Sequence, residues 1–497
     1  MKRLPFLATA LSAALALASG LVSASAVTLT TVSTDPYTNN TSYHATEVEP
    51  DTFSNGSTIV SAFQQGRFQD GGASNIGWAT STDGGSTWAH GSLPGITKVD
   101  SQANPYARDT DAAVAYDSLH GTWLIVSLPL NVTRRGAIVG AAVIVNRSTT
   151  GTSWDSPVTV AAATGSQDFD KTWIACDNNT ASPYRGNCYA QWDDHGHRNQ
   201  LHMAVSSDGG LTWKQSTVPR SVIIGGQPVA QPNGTVVVPI DNGNETAAES
   251  FVSTDGGVTY TGPYSISNIT DHAEAGSLRS GPLPTAEVDA SGTVYVAWSD
   301  CRFITNCTAN DIIFSTSTDG KTWSTVQRVP IDATTSGVDH FLPGLAVDSA
   351  TSGSTAALGL TYYYYPNTSC STSTCSLDVG FIGSSTGGAT WGTATQLAGP
   401  SSLDELPNTS QGYMVGDYIS SSFVSGTSGD VALSVFAVGM TVTNRTCTLG
   451  DVTSCNEPMQ APASGLTASS AVVAAAAGPV VSNQSDHAAP QSEVARR

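Results

Sequence analysis

Residues 81–88 read STDGGSTW, a Ser-x-Asp-x-Gly-x-Thr-Trp pattern. The pattern returns as SSDGGLTW (206–213) and STDGGVTY (253–260), and more loosely as STDGKTW (317–323), SSTGGATW (384–391) and STTGTSW (148–154). The closing aromatics fall at 88, 154, 213, 260, 323 and 391. Such a spacing, filled with four short strands per copy, predicts the blades of a β-propeller. Blade five shows the order most plainly: LPTAEVDASG (283–292), TVYVAWSD (293–300), DIIFSTSTDGKTW (311–323) and STVQRVPI (324–331). Each copy should close the turn between a third and a fourth strand. The Asp would accept N–H groups of its own turn, the Gly residues would permit positive φ, and the Trp would anchor the turn on the blade.

The fold class is therefore all-β. Six motifs predict six blades over about 47–398, and the strand-rich residues 409–460 predict a seventh, closed by VTLTTVS (27–33). Closure across the two chain ends removes an exposed sheet edge. A six-bladed ring with an appendage is the alternative.

Residues 1–26 have the form of a secretory signal: MKR, an apolar run, and the small-x-small site ASA (24–26). The propeller is expected over 27–460, followed by an Ala/Ser/Pro-rich tail, 461–497. No later run has the length of a transmembrane segment. The chain carries 20 Lys and Arg against 40 Asp and Glu, a net charge of −20, which becomes −22 without Lys2 and Arg3. That field repels nucleic acid and anionic membranes. The eight cysteines form near pairs, Cys176/Cys188, Cys301/Cys307, Cys370/Cys375 and Cys447/Cys455. In a secreted chain these predict four local disulfides. The protein is expected to be extracellular and monomeric.

A propeller sorts loops by face. The motif turns lie at one end. The segments entering first strands and leaving second strands surround the channel mouth at the other. These segments collect the charge of a chain that is only 12% charged: Glu47 and Glu49, RDTD (108–111), DFDK (168–171), WDDHGHR (192–198), DNGNE (241–245), DHAEAGSLR (271–279), DHF (339–341) and GDY (416–418). Convergent charge at a channel mouth is the best site signal in the sequence. Arg67 and Arg302 follow their second strands at matching positions, and the Cys301/Cys307 pair brackets Arg302. A pinned Arg suits bidentate carboxylate recognition. No cofactor is called for. Calcium is the cation these oxygen-rich loops would suit, through the DH pairs Asp271-His272 and Asp339-His340 with Asp111, Asp170 and Asp417.

With its motifs, the chain resembles the Asp-box (BNR-repeat) propellers, whose best-known enzymes are exo-sialidases. The resemblance covers about 47–398. It implies three Arg holding a sugar carboxylate, an Asp as acid/base, and a Tyr nucleophile activated by a Glu. Carried onto this sequence, Arg67, Arg279 and Arg302 form the Arg group, with Arg108 in reserve. Asp70 becomes the acid/base, Tyr364 of TYYYY (361–365) the nucleophile, and Glu274 or Glu245 its activator. One departure stands out. The first blade opens with EVEP (47–50), which places Glu49 where the family keeps an Arg, and a Glu repels a carboxylate. The implied function is a secreted sialidase-like glycoside hydrolase whose glycan or glycoprotein substrate need not contain sialic acid. The alternative is a non-catalytic propeller that binds glycan or protein at a cell surface.

Overall fold

The computed structural model describes residues 27–426 and 429–468. The expected signal, 1–26, and most of the expected tail lie outside them. Seven antiparallel blades form a closed ring, and helix is confined to three-residue 3-10 turns among these residues. Blade one is Glu47–Asn55, Thr58–Arg67, Ala73–Ser81 and Ala89–Ser92. Blade three is Phe169–Cys176, Cys188–Asp194, Gln200–Ser206 and Lys214–Gln215. Blade five keeps the order expected of it: Thr285–Val288, Val294–Asp300, Asp311–Ser317 and Gln327–Arg328.

Blade seven decides the count. Its strands Ser420–Gly426, Gly429–Ala437 and Met459–Pro462 take Leu29–Thr31 as their outermost partner, with Leu29 opposite Pro462. The N-terminal strand therefore closes the ring, and the six-bladed alternative falls. Strand pairing continues past residue 460, where composition alone suggested a spacer: Leu466 exchanges backbone hydrogen bonds with Ala432.

The motif turns are built alike. Asp208 accepts the N–H of Leu211 (3.1 Å) and Thr212 (2.9 Å) and the hydroxyls of Ser206 (2.8 Å) and Thr212 (2.6 Å). Asp83 and Asp255 repeat this scheme. Blade six carries Thr386 in place of the Asp, and its hydroxyl accepts the N–H of Thr390 at 2.8 Å. Trp88, Trp213 and Trp391 each donate Nε1–H to the carbonyl of the second Gly of their own turn. Replacing Asp208 by Ala should cost about 1 kcal/mol, the net worth of a turn hydrogen bond, read as a lower urea midpoint with site chemistry unaltered.

All four cysteine pairs form the local bridges expected, Cys176–Cys188, Cys301–Cys307, Cys370–Cys375 and Cys447–Cys455. No free cysteine remains among the described residues. No helix among them is long and apolar enough to cross a membrane.

Candidate functional site at the channel mouth

The innermost strands bend where they reach the axis. Pairing slips by one residue between Val48 and Asp51 in blade one, Asp170 and Trp173 in blade three, and Phe341 and Gly344 in blade six. Glu49, Lys171 and Leu342 sit inside these bulges with positive φ (56°, 49° and 49°), and Asp111 has the same conformation at 51°. Bulges re-aim side chains, and non-glycine residues in this region cost about 1–3 kcal/mol each. Asp111, Lys171, Leu342 and Asp417 consequently line one opening together with Trp173 and Tyr418. The opening is narrow, with about 30 Å³ of room in all, and its foot is the charged side formed by Asp111, Lys171 and Asp417.

A charge network runs from Asp111, Lys171 and Asp417 at that foot to residues outside its lining. Arg279 clamps Asp417 with Nε (2.6 Å to Oδ1) and its terminal nitrogen, and Lys171 Nζ reaches the same carboxylate. Cross-blade amides join in: Lys171 N–H donates to Asp111 (2.8 Å), and Asp417 N–H to Glu49 (3.3 Å). Gln64 donates to Glu49 and to Thr110 (2.9 Å), and accepts from Arg67 at 2.8 Å. Glu49, Arg67, Asp111 and Asp417 are all buried. Burial alone would raise the Asp417 carboxyl, but Arg279 and then Lys171 outweigh it and hold that group far below the usual range. Glu49 goes the other way. Burial, then the negative charges of Asp417 and Asp111, push it up to about 8. Burial, then Arg279, lowers Arg67 to about 10. The rim is apolar, and Trp173 meets Tyr418 edge-on at 5.0 Å.

The residues nominated from sequence divide into groups. Arg67 and Arg279 meet in this network. Arg108 and Asp70 pair with each other at 2.6 Å out on the rim, where Asp70 is half exposed and Arg108 stacks over Phe68. Arg302 is pinned as its disulfide suggested, but away from the axis. It forks onto Asp300 (2.8 and 2.7 Å) and reaches Ser267 (2.9 Å) on the outermost strand of blade four. Tyr364 lies on a second strand beside His340, on the strand face opposite Tyr363 and Tyr365; burial, then Asp378, raises it to about 12. Glu274 is approached by Asn310 (3.1 Å). Its tyrosine neighbour is Tyr365, whose hydroxyl is raised first by burial and then by Glu274. Strand alternation decides this: Tyr363 and Tyr365 share one face, Tyr362 and Tyr364 the other.

The acids considered for calcium do not meet at one point. Asp111 and Asp417 belong to the network above, Asp170 faces His195 (3.1 Å), and Asp271 accepts from Asn310 (3.0 Å). Asp311, Asp332 and His340 do cluster within 4.8 Å. Arg328 already supplies positive charge there, bound to both oxygens of Asp311 (2.6 and 2.7 Å) and to Asp332 (3.0 Å). The donor set thus fits a guanidinium, and nothing in it calls for a metal.

Lys171, Asp111 and Asp417 were visible as members of charged mouth segments. Their joint role was not. The signal is positional: each stands where an innermost strand begins or bends, at the pairs Glu49-Pro50, Asp111-Ala112, Lys171-Thr172, Leu342-Pro343 and Asp417-Tyr418.

No family model matches the chain, and no curated protein matches it. Solved structures similar to it include a protein of unknown function from Dyadobacter fermentans, at 18% identity and TM-score 0.45, covering 71% of this chain and 98% of that one. The leech intramolecular trans-sialidase follows at 13% and 0.43, covering 67% of each chain. The intramolecular trans-sialidase of Ruminococcus gnavus stands at 12% and 0.43, covering 66% of this chain and 92% of that one. Likeness at this level leaves the function to be read from the site itself.

Proposed function

We propose that the protein is a secreted, monomeric glycoside hydrolase of the sialidase-like kind, working at the channel mouth on a glycan whose sugar need not be acidic. One observation carries the reading. Asp417 and Glu49 stand in one network with their carboxyls driven in opposite directions, one ionised and one protonated near neutrality. Such divergence is how a pair of carboxyls divides acid and base roles. In this scheme Glu49, buried behind the lining of the opening, is the proton source and delivers its proton through a water, and Asp417, which lines the opening, is the carboxylate of the pair. A sugar ring would lie across the rim against Trp173, with the foot of the opening admitting a water. The arginine fork of Arg279 is already placed on Asp417, so sialosides should be poor substrates.

The narrow foot favours a second reading, a non-catalytic glycan binder. A panel of neutral and acidic fluorogenic glycosides, assayed from pH 4 to 8, separates the two. A neutral glycoside should turn over, and Glu49→Gln should lower kcat by about 10²–10⁴, the worth of a general acid, while Asp70→Asn changes it little. No turnover across the panel, with glycan binding intact in Glu49→Gln, would establish the binder instead.

A further inference from the structure

A second constellation lies on blade three, outside the channel network. The turn Thr164–Gln167 leads into its first strand, and the 3-10 turn His195–His197 follows its second. Ser166 Oγ stands 3.3 Å from His197 Nε2, and His197 Nδ1 stands 2.7 Å from Asp194 Oδ2. Asp194 is fully buried, while His197 is 51% exposed. Nucleophile, base and orienting carboxylate are therefore in line, with the first contact at the looser spacing usual before substrate binds.

The surroundings hold this arrangement. Asp194 Oδ1 accepts the N–H of Asp168 (3.0 Å), and Asp168 O accepts the N–H of His195 (2.7 Å). Gly196 presses so closely that an added Cβ would come within 1.8 Å of Ser166 O. Only glycine lets the histidine turn sit on the serine turn. Gly165 takes φ of +66°, which presents Ser166 at the tip of its turn. Among the described residues, the N–H groups of Gly165 and Ser166 donate to no protein acceptor, leaving two amide donors beside the hydroxyl. Ser166 lines an open cleft of about 400 Å³ with Thr133, Val139, Gln167 and His195.

We propose that Ser166, His197 and Asp194 form a serine-hydrolase site that cleaves carboxylic esters, a second activity separate from the channel mouth. Ser166 Oγ bonds to the acyl carbon as its proton passes to His197 Nε2. The bond from that carbon to the alcohol oxygen breaks, and the departing oxygen takes the proton from His197. Water then adds its oxygen to the acyl carbon as one of its protons passes to His197 Nε2, the bond from that carbon to Ser166 Oγ breaks, Oγ takes that proton back from His197, and the free acid leaves. The Gly165 and Ser166 amides, which have no protein acceptor among the described residues, are the donors each step would use for the negative oxygen that forms. Asp194 is a positioning residue, fixing the imidazole tautomer.

The test uses the full chain with a fluorophosphonate probe and p-nitrophenyl acetate. The probe should label Ser166, mapped by peptide mass, and the ester should be hydrolysed. Ser166→Ala should remove all labelling and lower the rate at least ~10³-fold, within the range for loss of such a nucleophile. Because Ser166 is exposed, this variant should melt with the wild type. Asp194→Asn should lower kcat with KM unchanged, since the imidazole loses the carboxylate that fixes its tautomer and orientation. A wild-type protein that neither reacts with the probe nor hydrolyses the ester overturns the proposal. So does labelling that persists in Ser166→Ala. Glycosidase assays on the same variants should be unaffected, so the two activities stand or fall separately.

Discussion

Asp417→Asn is expected to be the most damaging single substitution at the mouth. The carboxylate neutralises Lys171 and Arg279 together, and the side chains involved are only 5–12% exposed. Removing one partner from a buried pair leaves the other charge without compensation, at about 3–5 kcal/mol. Two cations depend on this one acid, so the upper part of that range is expected. The variant should unfold at clearly lower urea. If the channel mouth is a hydrolase, it should also lose turnover under conditions where it remains folded. A urea midpoint equal to that of the wild type would mean that the network is dispensable. Asp417→Glu should recover little, because Arg279 and Lys171 already close on the shorter carboxylate and a further methylene must displace one of them.

The second large effect is on stability against pH. Burial, as the largest cause, raises Glu47 and Glu49 to about 8 and Asp51, Asp193 and Asp339 to about 7. In the unfolded chain these groups ionise near pH 4. Between about pH 4 and 8 the folded protein therefore holds protons that the unfolded chain has lost. Stability present below pH 4 from these groups is lost as pH rises through their folded values. Asp417 acts in the opposite sense: its contribution is present above about pH 4 and is lost on further acidification. The optimum should lie near pH 4–5, with thermal midpoints at pH 5 well above those at pH 8. Each excess proton is worth about 1.4 kcal/mol per pH unit, so even one makes a steep profile. A melting temperature that is flat or rising from pH 5 to 8, measured with chelator present, would show that these acids are compensated in the fold.

Much of the molecule was legible in one dimension. The motif turn uses only local chemistry: Asp83 binds N–H groups four residues away at most, and Gly85 needs no partner to take positive φ. Its recurrence therefore reported blades directly. The close cysteine pairs bridged because short loops bring their ends together cheaply, and no long-range choice was involved. Closure by residues 29–31 followed from an unpaired edge at each end of the ring.

The site was decided elsewhere. Sequence nominated charged segments and sent them to one face, which is as far as strand order reaches. Whether Arg302 looks toward the axis or toward Ser267 of the neighbouring blade depends on where Asp300 holds it. Whether Tyr364 or Tyr365 stands near Glu274 depends on register, since a shift of one residue exchanges the faces. The bulges at Glu49, Lys171 and Leu342 turn innermost strands inward, and their cost is met by partners on other blades. Lys171 and Asp417 are 246 residues apart and meet only because the ring is closed. The repeated turn, the blade and the closed ring could be read in one dimension because short-range bonds build them. Which charges face one another was left to tertiary structure, because in a propeller the axis gathers one strand from every blade, and Coulomb and packing forces there act between residues the chain holds far apart.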